Sequence, residues 1–185
     1  MFWLCSIFLL SLPTTILSSY ELIQDLPTSG ITCTRKSIDM SNDNGIVAIG
    51  CREGKTLIYE KVGIYFSHMQ TLIDNRGDSI DVDVTADGQW IMVIDVNGYV
   101  RIYTYNSNNH LFELFQAISY DSDYSYSDYA ALTDDHLWLV HEKRSGNVYI
   151  HFYDGTSFTL HQTISLGSQI TDVMIANDHQ RLVVA

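Results

Sequence analysis

From Ser79 to Thr85 polar and apolar residues alternate without a break, Ser-Ile-Asp-Val-Asp-Val-Thr. That is the period-two pattern of a strand with one buried face. Ala86-Asp87-Gly88 then offers a turn, with a glycine free to take positive φ. Trp90-Ile-Met-Val-Ile94 is apolar on both faces, as a strand covered from both sides would be. Asp95–Gly98 turns the chain again, Tyr99–Tyr105 alternates, Asn106–Asn109 is a polar loop, and Leu111–Ile118 supplies a fourth strand. The pattern predicts one antiparallel meander of four short strands.

The unit repeats. A glutamine stands in the fourth strand at Gln24, Gln70, Gln116 and Gln162, and each step is 46 residues. The glycine that opens the third strand recurs at Gly54, Gly98 and Gly146, each followed four residues later by isoleucine at Ile58, Ile102 and Ile150. An aspartate marks the first hairpin at Asp43, Asp87, Asp134 and Asp178. A four-strand repeat of this length falls in the range of β-propeller blades. These units resemble blades of the WD-repeat and quinoprotein-like propeller superfamily. The stretch Gly98-Tyr-Val-Arg-Ile-Tyr103 also resembles the FG-GAP repeats of integrin-type propellers.

The expected fold class is therefore all-β, with four-stranded antiparallel meander blades of a β-propeller. Tyr20–Leu26 aligns with the fourth strand Phe112–Ile118, and 19–26 reads as a lone closing strand. Blade one spans 35–73, blade two 79–118, blade three 126–164, and 170–185 begins a fourth. About three and a half blades make an incomplete ring, since rings hold about four to eight. An unclosed stack exposes an apolar blade face, at a cost on the order of 10 kcal/mol of lost burial. The expectation is a piece of a longer propeller.

Ahead of the repeats, residues 1–18 carry no charged side chain. The apolar run Phe2–Leu12, with Pro13 behind it and Ser18-Ser19 after, has the shape of a signal peptide and is short for a membrane span. That predicts secretion or residence in the secretory lumen, with no membrane segment after cleavage. In that oxidising compartment the two remaining cysteines, Cys33 and Cys51, fall nearly opposite each other across the first hairpin. They make either a cross-strand disulfide or two separate buried thiols.

Composition adds one exclusion. With 10 basic and 22 acidic residues the net charge is −12, so a polyanion would be repelled and nucleic acid is excluded as a partner.

Candidate chemistry is thin. Ser41-Asn-Asp-Asn-Gly45 matches the front of a sialidase Asp box but reads as an ordinary turn. Asp121, Asp123 and Asp128 form an acidic, tyrosine-rich loop without the glycine that a calcium loop uses for its sharp turn. Arg76-Gly77-Asp78 is an integrin-type tripeptide on a loop, and also what a turn needs. His136 and His179 occupy equivalent turns, and the seven histidines show no metal-ligand spacing. Asp81 and Asp83 lie on an innermost strand, where Lys36, Asp39 and Thr171 make no recognisable set with them. No nucleophile elbow, phosphate loop or glycosylation sequon is present. The reading is a propeller scaffold that binds a protein or glycan, with no catalytic, cofactor or metal residue identified. The alternative is a propeller enzyme of the lactonase, glycosidase or quinoprotein type.

Overall fold

The computed structural model describes residues 6–7, 24–26, 33, 35–43, 45–52, 54–73, 78–119, 129–143, 146–176 and 181–185. All regular structure among them is β. The strands are β1 (Ser6–Ile7), β2 (Gln24–Asp25), β3 (Arg35–Met40), β4 (Ile46–Cys51), β5 (Lys55–Val62), β6 (Tyr65–Ile73), β7 (Ser79–Val84) and β8 (Trp90–Asp95). They continue as β9 (Val100–Asn106), β10 (Leu111–Ile118), β11 (Ala130–Leu132), β12 (Trp138–Lys143), β13 (Asn147–Tyr153), β14 (Phe158–Ser165), β15 (Val173–Ile175) and β16 (Leu182–Val184).

Three four-stranded antiparallel sheets follow in sequence order, β3–β6, β7–β10 and β11–β14, and β15–β16 begins another. These are the expected meanders. The glycines at the repeated position, Gly54, Gly98 and Gly146, have φ of 65°, 76° and 87°. An L side chain is strained there, which is why the residue recurs. Gln24–Asp25, within the segment 19–26, pairs antiparallel with Ser6–Ile7. Residues 19–23, and most of the apolar leader, lie outside the described residues.

The central strands are buried on both faces because the sheets stack. Ile91 and Val93 of β8 pack with Ala48 and Ile58 of the first sheet. The alternate residues Met92 and Ile94 pack with Leu132, Leu139 and Phe158 of the third. One strand therefore serves two interfaces, which explains its unbroken apolar run.

Two devices hold neighbouring sheets in register. In the fourth strands a bulge falls just before Gln70, Gln116 and Gln162. A bulge re-aims the side chain that follows it. Gln70 and Gln116 reach across to Phe112 and Phe158, each bonding both the N–H and the C=O of its target at 2.7–3.0 Å. Gln24 does the same to Phe66. Every partner lies 42 residues on.

The first hairpins share a second device. The hydroxyls of Ser41, Thr85 and Thr133 donate to Asp43, Asp87 and Asp135 at 2.5, 2.8 and 2.7 Å. They accept the N–H of Ile46, Trp90 and Trp138. The third-blade counterpart of Asp87 is thus Asp135, not Asp134. Asp134 instead accepts the N–H of Ala86 from the sheet before it, at 2.9 Å. Ser41 and Asp43 form the same turn as their sisters, and Asp178 is outside the described residues.

Cys33 and Cys51 are joined by a disulfide, with Cα atoms 4.9 Å apart. Cys51 is fully buried beside Leu57 and Val47.

Candidate functional site

The first strand of each meander is an edge strand, so one row of its N–H groups has no ladder partner in its own sheet. Aspartates from the preceding sheet fill that need. Asp39 on β3 accepts the N–H of Val84 at 2.7 Å, and Asp83 on β7 accepts that of Leu132 at 2.7 Å. Asp81, two residues before Asp83 on the same face of β7, accepts Ala130 N–H at 3.4 Å and Val82 N–H at 3.0 Å. The alternate residues Val82 and Val84 sink into the interface with the first sheet.

The three carboxyls form one cluster. Asp83 shares a hydrogen bond with Asp39 and feels the charge of both Asp39 and Asp81. Burial is the main force on its acidity and pushes it up to about 8, against the bond from Leu132 that lowers it. Burial also pushes Asp81 up to about 6, opposed by its backbone bonds and helped by the charge of Asp39. Near neutral pH this favours the protonated form of Asp83, two residues from Asp81, whose pKa is raised less.

The structure thus brings Asp39, Asp81 and Asp83 together, where the sequence reading found no recognisable set. The signal was available: Asp39 precedes the turn residue Asp43 by the same four positions that separate Asp83 from Asp87. Thr171 does not join them; it is exposed, and its N–H donates to Ala185 O at 2.7 Å. The Lys36 side chain lies outside the described residues.

Other candidates resolve into structure. His136 stacks on Trp90, ring centroids 5.2 Å apart, and its Nε2 lies 3.2 Å from Asp87 Oδ1. Asp78 lies 3.8 Å from Arg52 Nε, while Arg76, Gly77, His179 and residues 121–128 are outside the described set. A pair that the sequence did not reveal is His141 with His151, Nε2 atoms 3.3 Å apart and both rings buried. Burial pushes His141 down to about 3, with the charges of His151 and Lys143 adding to it, and burial pushes His151 down to about 4. Among the described residues no group of three or more His, Cys, Asp or Glu is placed to hold a metal ion.

No protein-family model matches the sequence, and no curated protein matches it. A crystal structure with a similar fold is that of a protein from Bacteroides uniformis named provisionally as a 6-phosphogluconolactonase. The TM-score is 0.69 and the identity 13%, over 88% of this chain and 48% of that one. The sheets are β-propeller blades. At this identity the likeness carries fold alone, and this chain spans about half the length of the neighbour.

Proposed function

We propose that this chain is part of a propeller hydrolase acting on a small cyclic ester, with the inner-strand carboxyls as its acid and base. The observation that carries the reading is the pair Asp81 and Asp83, on one face of one strand, with acidities drawn apart to about 6 and about 8. Carboxyls drawn apart in this way suit divided acid and base roles. Ionised Asp81 takes a proton from water as its oxygen adds to the ester carbonyl. The ring C–O bond breaks, its electron pair stays on the ring oxygen, and Asp83 supplies that oxygen's proton. Solvent then returns a proton from Asp81 to Asp83.

The provisional name of the Bacteroides protein supports the lactone class. The net charge of −12 disfavours a phosphorylated lactone and favours a neutral one. We place the protein in the secretory route on the strength of its apolar leader and the Cys33–Cys51 bond.

A second reading is a secreted scaffold that binds a protein or glycan. It is favoured by one observation: each of the three carboxyls already accepts an N–H from its neighbouring sheet. The two readings separate on hydrolysis of glucono-δ-lactone and δ-valerolactone by the full chain, followed in a pH-stat. The hydrolase reading expects turnover above the spontaneous rate and a loss of about 100-fold in kcat/KM for Asp83→Asn. No turnover, or turnover unchanged in that variant, refutes it and leaves the scaffold.

A further inference from the structure

The repeat is broken at a buried place in the second sheet. Ile58, Ile102 and Ile150 pair with Gln70, Gln116 and Gln162, so the residues just before them, Leu57, Arg101 and Tyr149, are sisters. Likewise Cys51, Asp95 and Lys143 each end the second strand of their sheet. In the first sheet this neighbourhood is Leu57 against Cys51, both fully buried in an apolar cluster. In the second it is an ion pair, with Arg101 Nη1 donating to Asp95 Oδ2 at 2.8 Å and both residues buried.

A buried ion pair is seldom more stable than the apolar packing it replaces. The pair is nonetheless built with care. Asp95 Oδ1 accepts the N–H groups of Asn97 and Tyr99 at 2.8 and 3.1 Å, which fixes the carboxylate, and the carboxylate in turn fixes the guanidinium. Arg101 also lies over the Tyr99 ring, 5.3 Å from its centroid.

This held arginine lines a cavity of about 370 Å³, in the size range of small-molecule sites. Tyr99 and Tyr103 line it with Arg101, and Ile73, Leu114 and Ala117 add apolar wall. Ile73 and Leu114 are 64% and 55% exposed, so these two walls present open apolar surface among the described residues. The cavity lies on the outer strands β9 and β10, away from the inner-strand aspartates of β3 and β7.

We propose that this cavity is a binding site for a small monocarboxylic acid with an aromatic or aliphatic body. The carboxylate meets the guanidinium fork, whose planar donors match it. The body lies against Tyr99, Tyr103, Ile73 and Leu114. Asp95 is the positioning residue, since its bond to Nη1 holds the guanidinium in place.

The test is an NMR titration of the ¹⁵N-labelled full chain with benzoate and hexanoate, and with benzamide as the neutral counterpart of benzoate. Both acids are expected to give saturable shifts at Tyr99, Arg101, Tyr103 and Ala117, with benzamide at least ten-fold weaker. Arg101→Lys keeps the charge, loses the fork and weakens the acids about ten-fold. Leu114→Trp fills the cavity from an exposed position, without touching the ion pair, and abolishes binding in a chain that stays folded. Absence of saturable shifts with either acid overturns the proposal. So does benzamide binding as tightly as benzoate, or acid binding unchanged in Leu114→Trp.

Discussion

The side-chain amide of Gln70 takes both backbone groups of Phe112: its Nε2 donates to the carbonyl at 2.9 Å and its Oε1 accepts the N–H at 2.7 Å. Two sheets that share no ladder are thereby fixed in one register. The 46-residue recurrence of glutamine is the trace in sequence of this cross-sheet bond.

Gln70→Ala removes two hydrogen bonds and leaves the backbone of a buried residue, Phe112, without its partner. The expected loss is about 2 kcal/mol in urea unfolding. Gln70→Glu keeps an acceptor for the Phe112 N–H but cannot donate to its carbonyl, so an intermediate loss is expected. Equal stability of all three proteins would show that the clamp contributes nothing.

The Cys33–Cys51 bond closes a loop with a sequence separation of 18. On chain entropy it contributes about 3 kcal/mol. Cys33→Ser, or full reduction, is expected to lower the stability of the oxidised protein by that order, measured by denaturant titration with and without reductant. A protein indifferent to reductant would contradict this.

Folding raises the pKa of Asp83 from 3.8 to about 8. The native state then holds a proton that the unfolded chain releases, so this contribution to stability is complete below about pH 4 and lost as pH rises through about 8. Asp83→Asn removes the loss. The melting temperature of the variant minus that of the parent is expected to rise from pH 4 to pH 9 by on the order of 10 °C. A difference that is flat or falling over that range contradicts the assignment.

His141 and His151 act in the opposite sense. Their folded pKa values are depressed, to about 3 and about 4, so their contribution is present above 6.5 and lost as pH falls through those values. His151→Leu removes one buried base. The acid-unfolding midpoint, followed by circular dichroism, is expected to move down by on the order of half a pH unit. An unmoved midpoint would show that the pair does not set the acid limit.

The blades were legible in the sequence because stacking imposes a periodicity that residues must obey. Val82 and Val84 alternate with Asp81 and Asp83 since one face packs apolar side chains on the first sheet and the other presents carboxyls to the N–H groups of β11, and Gly98 recurs because its φ demands it. Pairings across sheets were not legible in the same way. Asp134 and Asp135 are adjacent, and only the hydroxyl of Thr133 shows which one is the sister of Asp87. His141 and His151 meet because they sit diagonally across the β12–β13 ladder, where His141 faces Tyr149 and His151 faces Leu139. The aspartate cluster was half legible, in the four-residue offset that Asp39 and Asp83 share, but its altered acidity arises from burial between sheets that sequence spacing does not report.

The most direct test of the hydrolase account is a ¹³C NMR titration of the Asp81 and Asp83 side-chain carboxyls in the folded full chain. The account predicts midpoints near 6 and near 8, with Asp83 still protonated at pH 7. If both carboxyls titrate below pH 5, the two are ionised together at neutral pH. In that case no acid remains to protonate a leaving oxygen, and the division of roles between Asp81 and Asp83 fails.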